Sequence, residues 1–261
     1  MGCSKPSIEP DPQKPSEGKY YVKRVSYPDA PPIAGGDFYF TYNGANKVVV
    51  IEQKNVGTIK IDYNNEGLIS KTTSTGLFPG YTNYFYTNGQ LVREERYQIE
   101  TDQAGGTQTR KQSFEYVLGN DNKPLLIRAY NNTDAVKASA QIMYDDNGNP
   151  VKITSSSGIE YSYTYNNENY VLFPENEGIY NCLENLIVFT SILSYSVPAE
   201  LNYRIPFQKQ IKDITYQLPN GATQRFTFHY QKNEQGLTRQ LTASYGSGSS
   251  PTVYTFEYER R

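Results

Sequence analysis

The strongest constraint on this chain is a phrase that recurs along it, plainest at Tyr144-Asp145-Asp146-Asn147-Gly148-Asn149-Pro150-Val151. An aromatic residue closes one apolar alternation, Asn, Asp and Gly reverse the backbone, and an aliphatic residue opens the next. It returns at Tyr63-Asn64-Asn65-Glu66-Gly67-Leu68 and at Tyr86-Thr87-Asn88-Gly89-Gln90-Leu91. Glycine reaches positive φ without steric penalty, and Asn and Asp tolerate the same region while bonding their own backbone, so each copy predicts a β-hairpin turn.

Between the turns, aromatic and aliphatic residues keep a period of two: Phe38, Phe40 and Tyr42; Ile59, Ile61 and Tyr63; Tyr161, Tyr163 and Tyr165; Phe226, Phe228 and Tyr230; Tyr254, Phe256 and Tyr258. The interleaved positions are polar, among them Thr41, Asp62, Thr164 and Glu257. Such alternation marks strands with one covered face and one face in water. Strands joined by turns of two to five residues pair as antiparallel neighbours, so the expected fold is all-β: an antiparallel meander of about fifteen short strands. A sheet that long curls, and the pattern leaves open whether it stays an open spiral or closes into a barrel. The 25 Tyr and 11 Phe, against no Trp and a 37% hydrophobic content, suit a covered face whose rings keep their hydroxyls near water.

One stretch departs from this rule. Residues 177–194 place Ile179, Cys182, Leu183, Leu186, Ile187 and Leu193 at helical spacing, with Val188, Phe189 and Ile192 between them. The expectation is an apolar helical insert lodged in the aromatic concavity, the alternative being a fully buried strand.

The first residues bear on location. Met1-Gly2-Cys3-Ser4-Lys5 leads into Pro6, Pro10, Pro12 and Pro15 among charged residues, a composition that extends and does not pack. The domain reading is a Pro-rich tether over 1–18 and a single hairpin-repeat domain over 19–261. Gly before Cys before Ser resembles the end of a bacterial lipobox, which makes Cys3 the candidate lipidation site. Myristoylation of Gly2 fits less well, with Pro6 where Ser or Thr is preferred.

The phrase at Tyr63 to Lys71, Tyr84 to Arg93 and Tyr144 to Lys152 resembles the tyrosine-aspartate repeats of Rhs-type proteins. The whole layout, with hairpins, an apolar insert and further hairpins behind a Cys-led tether, resembles a Bacteroidetes lipoprotein family of unknown function described as having a porin-like fold. That resemblance implies a lipid-anchored cell-envelope protein, in the outer membrane and either periplasmic or surface-exposed. It assigns no catalytic residues.

The chemistry points the same way. A net charge of -2 leaves no footprint for nucleic acid. A single His, His229, excludes a multi-His metal site. Cys182 sits in an apolar stretch that favours the inert thiol. Asp145-Asp146-Asn147-Gly148 lacks the alternate oxygen ligands of a calcium loop. Arg93, Glu94, Glu95 and Arg96 read as solvated edge charge on alternate faces. No catalytic residue, cofactor or metal is expected.

The expected function is a non-enzymatic binding or scaffold module for a glycan or a protein, anchored to the membrane through its N terminus. Its candidate contacts are the aromatics off the core parity: Tyr21, Tyr39, Phe85, Tyr97 and Tyr130. The alternative is a carrier of lipid or another apolar ligand inside the curled aromatic sheet. A transmembrane barrel is disfavoured, because the expected strands are shorter than about ten residues and end in charge.

Overall fold

The computed structural model describes residues 18–27, 36–77, 79–101, 105–169, 209–246 and 250–261. The expected tether up to residue 17, with Cys3, and the 177–194 insert lie outside the described residues.

Sixteen strands are present among the described residues. The first eight are β1 (Tyr20–Ser26), β2 (Asp37–Tyr42), β3 (Val48–Gln53), β4 (Gly57–Tyr63), β5 (Ile69–Gly76), β6 (Gly80–Thr87), β7 (Gln90–Thr101) and β8 (Thr107–Leu118). They continue as β9 (Pro124–Tyr130), β10 (Val136–Tyr144), β11 (Pro150–Ser155), β12 (Glu160–Asn169), β13 (Lys209–Gln217), β14 (Thr223–Lys232), β15 (Thr238–Tyr245) and β16 (Thr252–Arg260). Each pairs antiparallel with its sequence neighbours, and β1 pairs with β16 from Tyr20 opposite Arg260 to Ser26 opposite Thr255. The meander therefore closes into a barrel. Closure removes both sheet edges, and with them the unpaired backbone groups on which another chain could template.

Most of the turns share one construction. In the loop from Asn43 to Lys47, Asn43 N–H donates to Lys47 O at 2.9 Å and Asn46 N–H to Asn43 O at 3.0 Å. The fourth loop residue takes positive φ, and the same position is held by Asn46, Gly67, Asn122, Asp134, Gly148, Gly158, Gly221 and Gly236. This is a type I turn closed by a left-handed residue, which gives a bulge in the strand pair. In six of these eight loops the first residue caps the turn. Asn64 Oδ1 accepts from Glu66 N at 3.0 Å and from Leu68 N at 2.9 Å, and Asp145 Oδ1 accepts from Asn147 N at 3.0 Å and Asn149 N at 2.7 Å. The hairpin at Asn88-Gly89 differs, since both residues have positive φ, as a two-residue type I′ turn requires.

Alternation then sorts the side chains. Phe38, Phe40, Ile51, Ile59, Phe114, Ile127, Ile153, Ile214, Phe228, Tyr254 and Phe256 belong to one buried cluster. Thr41, Asp62, Thr164 and Glu257 on the opposite parity are exposed. The aromatics that close strands at a bulge, Tyr63, Tyr86 and Tyr144, are half-buried and pack on the rim of that cluster. The covered parity is the inner face of the barrel. A sixteen-stranded barrel can be wide enough for an aqueous channel, yet here the side chains of that cluster are buried.

Most strands run from 6 residues, as in β2, to 9, as in β10, as the alternation suggests, and β7 and β8 extend to 12. The outer wall carries charge around its circumference. Arg24 bridges Asp37 at 3.0 Å and Glu257 at 2.8 Å, Lys152 meets Glu160 at 2.7 Å, and Arg225 meets Asp213 at 2.9 Å.

Candidate functional site

The outward faces of β5 to β9 form a grid whose rows follow from the register. One row runs Lys71, Asn83, Glu95, Ser113 and Tyr130, each opposite the next. The row on one side of it runs Thr73, Tyr81, Tyr97 and Lys111, and the row on the other runs Phe85, Arg93, Glu115 and Arg128. Three of the candidate contact residues, Phe85, Tyr97 and Tyr130, thus fall on one outward surface. Phe85 is 42% exposed.

The other two lie apart. Tyr39 is 39% exposed on β2, where its hydroxyl reaches Asp37 Oδ2 at 3.4 Å and Arg24 sits 5.8 Å over its ring. Tyr21 is buried at 3% exposure, edge-on to Tyr42 with centroids 5.4 Å apart. It offers no ring to the surface. The register shift between Val22 and Arg24 explains this, because an irregularity in β1 breaks the parity count on which its exposure was expected.

On the grid, the aromatic rings are fixed by their charged neighbours. Tyr81 and Tyr97 stack with centroids 4.5 Å apart and planes 14° from parallel, and Lys71 Nζ lies 4.9 Å over Tyr81. Tyr97 O–H donates to Glu95 Oε2 at 2.9 Å while Arg93 holds Oε1 at 2.7 Å and Lys111 lies 3.4 Å from it. Burial alone would raise the Glu95 pKa, but the Tyr97 and Arg93 hydrogen bonds and the Lys111 charge bring it below its ordinary value. Tyr130 O–H and Arg128 Nη1 both donate to Glu115 Oε2, at 2.7 and 2.9 Å. Those bonds hold the Glu115 carboxyl below its usual pKa and raise that of the Tyr130 phenol.

Between these groups lies a cleft of about 240 Å³, lined by Arg93, Ser113, Phe114, Glu115, Tyr130 and Asp134. Lys111 Nζ stands 3.6 Å from Asp134 at its side. Ser113 is 2% exposed, and its Oγ has no hydrogen-bond partner. Sequence reasoning missed Ser113 because a Ser in a polar alternation looks like ordinary outward surface. Its burial comes from the larger residues on both sides of the row.

A second polar group was misread in a different way. Arg93 and Glu95 do face outward, but Glu94 is 0% exposed on the inner face and Arg96 has an 11% exposed side chain. They are not solvated edge charge. Tyr116 O–H donates to Glu94 Oε1 at 2.8 Å, Arg96 Nη2 to Oε2 at 3.3 Å, and the Arg96 guanidinium lies 4.1 Å over the Phe114 ring. A buried carboxylate survives only with such partners. Among the described residues no three His, Cys, Asp or Glu side chains converge as metal ligands, and no helix is long and apolar enough to cross a membrane. His229 is exposed, opposite Thr242.

The architecture has solved counterparts. A porin-like protein from Bacteroides uniformis shares the fold at a TM-score of 0.55 and 12% identity, over 91% of this chain and 98% of that one. A porin-like protein from Bacteroides vulgatus matches at 0.57 and 11%, over 92% and 99%. No protein-family model and no curated protein matches the chain in sequence. The class is thus an all-β, closed sixteen-strand barrel of porin-like fold, and at such identities the likeness is one of fold alone.

Proposed function

We propose that the protein is a non-enzymatic component of the cell envelope, tethered through Cys3 to the outer membrane, whose barrel stands in water and binds a glycan or protein ligand on the outer face of β6 to β9. The observation that carries this reading is the polarity of the wall. A barrel set in lipid turns an apolar band outward and keeps its polar residues inside. This one buries Phe38, Phe114, Phe228 and Tyr254 inside, and turns Lys60, Asp62, Lys71, Arg93, Lys152 and Arg225 outward. Each Arg or Lys on a lipid-facing wall costs about 2–4 kcal/mol at mid-membrane, so the outer surface suits water. Membrane attachment then falls to the tether.

Fractionation of the native host tests this. The wild-type protein is expected in the membrane fraction, and Cys3→Ala in the soluble fraction, because acyl chains supply the affinity. A Cys3→Ala protein that still resists extraction by alkaline carbonate would make the barrel itself the membrane-spanning element. The carrier reading requires an apolar cargo inside the barrel, and native mass spectrometry finding co-purified lipid would favour it.

A further inference from the structure

We infer that the cleft around Ser113 is a subsite for one sugar ring of a neutral glycan. This rests on the outer-surface reading above and names its ligand class.

The Ser113 hydroxyl is a buried group with no hydrogen-bond partner, and it lines the cleft. Buried polar atoms nearly always have a partner, and the exceptions ask for an explanation. Here the orphan sits in a cleft walled by a fixed aromatic ring, an arginine and two carboxylates. Each neighbour bears on the ligand. Tyr130 is tied by its hydroxyl to Glu115, so its ring holds a set orientation with little conformational entropy left to lose. Arg93 presents donors, Glu115 and Asp134 present acceptors, and Ser113 can do either.

Charge then narrows the choice. The cationic and anionic side chains at the cleft pair with one another, Arg93 with Glu95, Arg128 with Glu115, and Lys111 with Glu95 and Asp134. No single sign is left over to attract an anion or a cation. A ligand that satisfies such a site carries hydroxyls that both donate and accept, together with an apolar face for Tyr130. A pyranose ring has both. The cleft is smaller than the roughly 300–1,000 Å³ of pockets that enclose drug-sized ligands, so it takes one ring, and the chain of a longer glycan would run on over the grid. The stacked Tyr81–Tyr97 pair lies in the neighbouring row and extends the surface in that direction.

The test is calorimetric titration of the full chain with neutral oligosaccharides, gluco-, manno- and galacto-hexaoses in α and β linkage, beside heparin and polysialic acid fragments as charged probes. At least one neutral oligosaccharide is expected to bind. Tyr130→Ala should abolish that binding, and Ser113→Ala should weaken it about tenfold without lowering Tm, since removing an unpaired buried hydroxyl leaves the fold unharmed. Tyr39→Ala, elsewhere on the wall, should bind as wild type does. Binding of charged probes only, no binding of any neutral probe, or binding that Ser113→Ala and Tyr130→Ala leave intact would overturn the inference. A photo-crosslinking residue in place of Phe85 separates this from failure of the broader reading. If it captures a protein in the native envelope while every sugar fails, the surface stands and the glycan falls; if both fail, both fall.

Discussion

The hydroxyl of Tyr63 donates to the carbonyl oxygen of Val48 at 2.6 Å, tying the end of one hairpin to the start of the strand that left the previous turn. The bond is one of a series. Tyr42 reaches Val22 O at 2.6 Å, Tyr86 reaches Ile69 O at 2.8 Å, Tyr144 reaches Pro124 O at 2.8 Å, and Tyr258 reaches Thr238 O at 2.7 Å. Tyr165 makes the same bond to Pro150 O. The repeated tyrosine is thus a latch between successive hairpins as well as a core residue, which accounts for a phrase ending in Tyr and not Phe. Burial raises the Tyr144 and Tyr165 phenol pKa values well beyond normal, so these hydroxyls remain donors at any physiological pH.

Tyr→Phe at each latch should therefore cost about 1 kcal/mol, the net worth of one hydrogen bond, without loss of ring packing. Tyr63→Phe and Tyr144→Phe are distant enough for their effects to add. Tyr20→Phe, at a 40% exposed ring, serves as the control. Urea midpoints with unchanged m-values check this, and latch variants no less stable than the control would show the hydroxyls to be incidental.

Two of these latches each carry a lysine over the tyrosine ring. Lys47 Nζ donates to Gly67 O and lies 5.1 Å over the Tyr63 ring, while Lys123 Nζ lies 5.6 Å over Tyr144. A Cβ at Gly148 would stand 2.6 Å from Lys123 Nζ, whereas at Gly221 it would meet nothing within 4 Å. Both glycines have positive φ, near +80°, so alanine at either should cost about 1–2 kcal/mol in backbone strain. Gly148→Ala should also displace Lys123 from the Tyr144 ring. Thermal melts are expected to rank Gly148→Ala below Gly221→Ala, and the double variant with Lys123→Ala should narrow that gap.

Inside the barrel, Glu94 depends on Tyr116 and Arg96. Glu94→Ala removes the carboxylate and leaves the Arg96 guanidinium buried without that counter-charge, which should cost about 3–5 kcal/mol. Tyr116→Phe removes one bond to a charged group, at about 1.5–3 kcal/mol. In a double-mutant cycle measured by denaturant unfolding, the two should be strongly non-additive. Additive losses would mean that Glu94 and Tyr116 do not act on one another.

Most of this fold was legible because the alternation and the turn residues agree. Tyr161 and Tyr163 point inward with Ser162 and Thr164 outward, and Asn64 to Leu68 form the loop their identities require. Closure was not legible, since the pairing of Val25 with Phe256 depends on curvature accumulated over every strand between them. The length of β7 and β8 was not legible either, because both are polar along much of their length, and β8 opens with four exposed residues. Tyr21 and Glu94 mark the limits of parity. A single irregularity moves the first out of sequence register, and the second is an inward charge whose partners, Tyr116 and Arg96, arrive only through strand pairing and local folding. For the candidate surface, sequence offered Phe85, Tyr97 and Tyr130 singly, and register set them on one outward surface, with Tyr130 of the three lining the cleft at Ser113.

Asp213 supplies a prediction in pH. It sits on the outer wall with a 6% exposed side chain, held by Arg225 Nη2 at 2.9 Å, Thr227 Oγ1 at 3.0 Å and Thr164 Oγ1 at 3.1 Å. Burial alone would raise its pKa, but the hydrogen bonds from Arg225, Thr227 and Thr164 carry it below the ordinary value. A carboxyl whose folded pKa is depressed contributes stability that is fully present above its unfolded pKa, about 3.9, and is lost as pH falls through the folded value. Asp37, Glu95 and Glu115 are shifted in the same direction, so the protein should be stable at neutral pH and lose stability steadily below about pH 5. Asp213→Asn should be about 1–3 kcal/mol less stable than wild type at pH 7. Its stability should also fall less between pH 5 and pH 3, so that the two curves converge in acid. Urea unfolding across that range measures it, and parallel curves would place the acid sensitivity elsewhere on the barrel.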